Sequence, residues 1–339
     1  MSSSIAQIRG RVGRRGFLAA ALVLIALVVA VATPQVLGRR VAAAFDTLGS
    51  ADPRWLWLAG IGFVVSVSCA AAAWRSAMII CGGRLSFLDA CARYGAGSLV
   101  NTFVPARAGE AVRIGLFSRV LATKERLRTT GSAFAALAAS RALVLGILAV
   151  AGALAGAVPL WPFLIAAGIV AVAVAIAVLA RRTTTHLLDA FRALAERPAA
   201  ALRIVAWISL QFAGRLAAAT AVGAALGIRH PVASAVLILL ALDVAGLVPV
   251  TPGGVGVAQA AVVLALHAQG TPYRAALAAG IAFHAIETAV GLMFGLASLV
   301  WLAPYPSPAA RRVALLAGAA SWALGIAGAF SATVLAPLV

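Results

Sequence analysis

Asn101, Arg107, Glu110 and Arg113 crowd around Pro105 and Gly109 in the stretch NTFVPARAGEAVR. Those types at that spacing suggest ion pairing and anion binding. If the chain is helical from Ala108 onward, Glu110 and Arg113 stand three apart on one face and can pair. Arg107 then lies beside a helix N-terminus, whose free N–H groups and dipole favour an anion such as phosphate. A solvated loop carrying the same charges is the bland alternative. Further polar positions interrupt apolar sequence: Asp243 in LLALDVAGLVPV, Arg141 after Ser140, Gln211 with Arg215, and His284 with Glu287. The last two pairs are four and three residues apart, so each shares a helix face. A His–carboxylate pair in apolar surroundings can relay a proton or serve as a structural hydrogen bond.

A second unusual stretch is VPVTPGGVGVAQ at 248–259. Thr251 suits an N-cap and Pro252 the first position of a half-helix ending near His267. Gly253, Gly254 and Gly256 would let a headgroup or a neighbouring helix come close to the backbone, or would simply make a tight turn. His267, His284 and Glu287 lack a recognised ligand spacing, and Cys69, Cys81 and Cys91 share none with each other, so no metal site is expected. No phosphate-binding Walker loop, nucleophile elbow or pair of catalytic carboxylates is present, so no cofactor and no enzymatic step are expected.

These residues must be positioned by helices crossing a bilayer. The 339-residue chain is 63% hydrophobic and 11% charged, with mean hydropathy +1.06, beyond what a soluble domain needs. The pattern predicts an all-α polytopic membrane protein of about seven transmembrane helices: 17–37, 55–81, 130–157, 163–180, 200–227, 274–302 and 312–337. The basic residues 1–16 flank the first, which resembles a twin-arginine signal but reads as a retained helix because apolar spans continue downstream. Residues 183–197 carry Leu187, Leu188, Phe191 and Leu194 at helical spacing, an amphipathic helix for the membrane surface.

Two segments do not read as simple spans. Residues 86–118 and 231–269 each look like two short helices meeting at a Pro/Gly break, meaning a re-entrant hairpin. With the N-terminus in the cytoplasm, 20 of the 27 basic residues fall on the cytoplasmic side and five outside, the asymmetry that sets orientation in a plasma (inner) membrane. The first hairpin then opens from the cytoplasm and the second from outside. The halves 55–180 and 200–337 are thus expected to form an inverted repeat within a single membrane domain. The net charge of +18 is placed in short connections beside anionic headgroups, which argues against a nucleic-acid partner.

The stretches N-x-x-x-P-x-R-x-G-E-x-x-R (101–113) and P-x-T-P-G-G-x-G-V (249–257) resemble the lysylphosphatidylglycerol synthase transmembrane-region family, over roughly 10–305. The resemblance implies a flippase-like membrane domain, here in a standalone form without the synthase segment. It also implies an acid before Arg141, a Glu at Gln259 and an Arg at His284, three positions where this sequence departs from the pattern. On that footing Arg107, Arg113 and Arg141 would contact a lipid phosphate. Glu110 and Asp243 would orient those arginines or a cationic headgroup, and the glycine break would expose half-helix N-termini. The expected function is a lipid translocase acting on an anionic or lipid-linked substrate. The alternative is a non-transporting accessory of a glycosyltransferase or lipid-modifying enzyme.

Overall fold

The computed structural model describes residues 43–104 except 45, then 108–154, 156, 197–246 and 256–303, with isolated positions at 308, 309, 312 and 316. The expected spans 17–37 and 163–180, the N-terminal 1–16, nearly all of 183–197 and nearly all of 312–337 lie outside the described residues.

Among the described residues eight helices stand out: α1 (Pro53–Ile80), α2 (Phe87–Phe103), α3 (Ala108–Ser118), α4 (Arg126–Leu154), α5 (Pro198–Ala225), α6 (Pro231–Ala245), α7 (Val257–His267) and α8 (Tyr273–Leu302). Local chemistry sets their starts. Asp52 caps α1, its carboxylate accepting the Arg54 N–H at 2.9 Å, with Pro53 in the first turn where no N–H is required. Ser86 caps α2, its hydroxyl accepting the Asp89 N–H at 3.1 Å. Pro198 and Pro231 open α5 and α6 in the same way as Pro53.

α1, α4, α5 and α8, at 28 to 30 residues, are long and apolar enough to cross a membrane. They match four expected spans to within four residues at each end. Together with the shorter apolar helices they make this a multi-pass membrane protein. The segments 86–118 and 231–269 resolve into the short pairs α2/α3 and α6/α7, each packed as a pair around an interruption. One start is corrected. The helix expected from Thr251 begins at Val257, because Gly256 is the N-cap, with φ of 87°, a value that only glycine adopts freely.

α1 and α5 form the centre. They run antiparallel: the Asp52 N–H at the head of α1 donates to the Ala225 carbonyl at the tail of α5 at 3.2 Å, and their middles meet at Gly62 and Gly214. Around them the packing follows a rule of exchange. α1 lies on α2 as α5 lies on α6, α2 on α3 as α6 on α7, and α3 on α4 as α7 on α8. α4 meets α5 as α8 meets α1, and α1 meets α4 as α5 meets α8. The last pair of counterparts is uneven: α2 and α8 are in extended contact, whereas α6 and α4 touch at few residues. Aromatic contacts seal the interior, Phe63 edge-on to Phe283 at 4.7 Å and Trp74 stacked on Phe117 at 4.6 Å.

Candidate functional site

The charges buried in this bundle form two clusters. In the first, Arg113 on α3 donates to Glu110 Oε1 at 2.5 Å and to Ser98 Oγ at 2.7 Å, and its Nε donates to the Tyr94 carbonyl at 3.3 Å. Its guanidinium also lies 4.0 Å over the Tyr94 ring, a cation–π contact. The expected Glu110–Arg113 pair is therefore formed. The arginine side chain is 7% exposed, so it is a satisfied, enclosed group and not an open phosphate contact in this conformation. Close helix approach makes this possible. Gly97 and Gly109 face each other where α2 crosses α3, and a Cβ on either would strike the other's carbonyl.

The second cluster brings together three helices that the sequence separates. Arg215 on α5 reaches Asp243 on α6 at 3.5 Å with one terminal nitrogen and Glu287 on α8 at 3.3 Å with the other. Side-chain exposure rises outward from Arg215 at 11% through Asp243 at 21% to Glu287 at 38%, so the cluster opens on its Glu287 side. One guanidinium shared by two carboxylates leaves a surplus of negative charge. Arg215 Nε and Asp243 Oδ2 are buried and make no hydrogen bond among the described residues. Tyr94 belongs to the first cluster, where its ring carries Arg113.

The partner of Glu287 is a correction. His284 stands one turn away on α8 and is half-buried, but the carboxylate is turned to Arg215. A guanidinium with two free donors competes better for a buried carboxylate than an imidazole does. Arg141 is different again. It continues the bundle-facing stripe of Thr130, Ala133 and Leu137 on α4, yet it is only half-buried and has no ion pair or hydrogen bond among the described residues. Ser140 beside it merely back-bonds to the Ala136 carbonyl at 2.9 Å.

The two breaks satisfy their exposed backbone with side-chain amides. Asn101 Oδ1 accepts the Gly109 N–H at 2.7 Å, and Gln259 Oε1 accepts the Gly256 N–H at 2.6 Å. Both residues thus serve as local caps, and a Glu at 259 could make the same bond. Arg107, Thr251, Gly253 and Gly254 lie outside the described residues. Tyr94 and Ser98 were missed from sequence, although the run Tyr94, Ser98, Asn101 has the spacing of a single polar helix face in an otherwise apolar segment.

The family described as lysylphosphatidylglycerol synthase TM region matches residues 18–295, which spans every described cluster. No curated protein matches the chain.

Proposed function

Because the chain belongs to the lysylphosphatidylglycerol synthase transmembrane-region family, we propose that it is a lipid translocase, carrying a phospholipid or lipid-linked headgroup between leaflets. The observation that carries this reading is the Arg215–Asp243–Glu287 cluster. Ionised groups at membrane depth are costly and characteristically mark substrate pathways, so three of them on three helices, open on the Glu287 side, support the passage of polar cargo. Arg141, bundle-facing and without a partner among the described residues, is the residue we assign to the phosphate. Asp243 and Glu287, in surplus over Arg215, receive the donor groups of the headgroup.

On this reading α2/α3 and α6/α7 are re-entrant hairpins, and α1–α4 and α5–α8 are inverted repeats. The antiparallel α1–α5 pair and the exchange rule in the helix contacts support it, since an inverted repeat requires both. The charge asymmetry supports an N-terminus in the cytoplasm, with the chain read as a plasma-membrane protein. The role is that of a carrier, with no bond made or broken. A glycosyltransferase or lipid-modifying enzyme would be a partner that supplies or consumes the cargo.

The test is reconstitution. In phosphatidylcholine–phosphatidylglycerol vesicles holding purified protein, dithionite should go on to reduce the inner-leaflet label of nitrobenzoxadiazole-labelled phosphatidylglycerol or phosphatidylethanolamine, which stays protected in protein-free vesicles. Rates equal to protein-free vesicles for both labels would overturn the reading and favour the accessory role.

A further inference from the structure

The pair of counterparts α2–α8 and α6–α4 is informative because no other pair of counterpart contacts differs as much. α2 and α8 are zipped. Trp301 Nε1 donates to Asp89 Oδ1 at 2.7 Å at one end; Gly95 lies under Phe294 and Ser298 in the middle; at the other end a Cβ on Gly295 would stand 2.5 Å from Leu99 Cβ. Aligning the first residues of α4 and α8 sets Ile147 opposite Phe294 and Leu154 opposite Trp301. Ile147 and Leu154 are 61% and 86% exposed, while Phe294 and Trp301 are half-buried in the zipper. The same side chains of the repeat are thus engaged in one half and free in the other.

The charged clusters follow this asymmetry. The cluster on the zipped hairpin, Arg113 with Glu110, is enclosed at 7% and 23% exposure. The cluster reached through α6, by contrast, is exposed up to 38% at Glu287. In a protein built of two inverted repeats, each contact made by one half has a counterpart in the other, so a second arrangement in which the halves exchange roles uses the same kinds of contact.

We propose that this chain alternates between two states in which the α2–α8 and α4–α6 contacts exchange, so that the two charged clusters are headgroup stations opened in turn. In the structure at hand the α2–α8 zipper is closed and the Arg215–Asp243–Glu287 station is open. In the exchanged state the start of α6 closes on the end of α4 around Leu154, the Asp89–Trp301 bond breaks, and the Arg113–Glu110 station opens. α1 and α5 are the pivot, because Gly62 and Gly214 hold their backbones too close for either helix to shift at that point. The inference rests on the inverted-repeat reading above, but its test does not depend on lipid movement.

The experiment is a distance measurement. With Cys69, Cys81 and Cys91 replaced by Ala, nitroxides are attached at Leu154→Cys and Ala233→Cys, the latter being the α6 position that aligns with Asp89. Double electron–electron resonance in proteoliposomes should give two distance populations, the shorter one minor. Trp301→Ala, which removes the zipper bond, should raise the ratio of short to long by about fivefold. A single long distance in the Trp301-containing protein overturns the proposal, whether or not the same vesicles move lipid. If Trp301→Ala is not recovered from membranes, that first distribution alone decides. Two populations in protein that moves no lipid would support the exchange and overturn the translocase reading instead.

Discussion

Gly62 of α1 and Gly214 of α5 lie back to back, so that a Cβ on either would stand 2.7 or 2.8 Å from the other's carbonyl oxygen. In lipid, helices gain little from hiding apolar surface from one another, and close backbone approach at small residues replaces that driving force. Gly62→Val and Gly214→Val are each expected to destabilise the bundle by about 1–3 kcal/mol, the ordinary cost of overpacking. Thermal unfolding in detergent, followed by size-exclusion of the surviving fraction, checks this. Gly60→Ala, two residues away and with open space at its Cβ, is the control that should leave the midpoint unchanged or raise it slightly.

Arg215 stands between two carboxylates, and removing it leaves both uncompensated. Arg215→Ala should cost on the order of 3 kcal/mol, nearer the lower end of what a broken buried pair costs because Glu287 is partly exposed. Adding Asp243→Asn and Glu287→Gln should recover most of that loss. A triple variant no more stable than Arg215→Ala would show that the charges are not the cause.

Arg141 gives the opposite pattern. It has no partner among the described residues to lose, so Arg141→Ala should leave stability within about 0.5 kcal/mol of the starting protein. Lipid movement in the reconstituted assay should nonetheless fall by at least about tenfold, the effect of losing one charge-assisted phosphate contact. Unchanged transport in this variant would remove Arg141 from the site.

Gln259 caps its own helix through the Gly256 N–H. Gln259→Ala should cost about 1 kcal/mol, the usual worth of such a bond, whereas Gln259→Glu should be neutral or slightly stabilising at the positive end of α7. Thermal midpoints of the two variants side by side settle the comparison. A Gln259→Glu variant as unstable as Gln259→Ala would mean that the side chain does something other than cap.

Much of the architecture was legible in the residues. Apolar runs of bilayer length located α1, α4, α5 and α8, because a helix crossing lipid must be predominantly apolar for that length whatever its neighbours. The Pro/Gly interruptions at Pro105 and at 249–256 located the two short-helix pairs for a local reason too. The pair Glu110–Arg113 was equally readable, since both partners sit on one helix face. The end of the second break was misjudged: Thr251-Pro252 carries a strong start signal, but Gly256, with its positive φ and its bond from Gln259, is where α7 begins.

What the sequence determined by itself was whatever depends on neighbours within one or two turns: spans, breaks, caps and the i,i+3 ion pair. Only the tertiary structure decided that Glu287 belongs to Arg215 and not to His284, that Arg113 is enclosed against Tyr94 and Ser98, and that Arg141 has no partner among the described residues. Those outcomes depend on which helices cross and how closely. Glu287 and Arg215 are 72 residues apart, and nothing in their spacing anticipates their contact. Closeness is set in turn by glycines such as Gly62, Gly97 and Gly214, whose missing Cβ atoms gain meaning only once another helix lies against them.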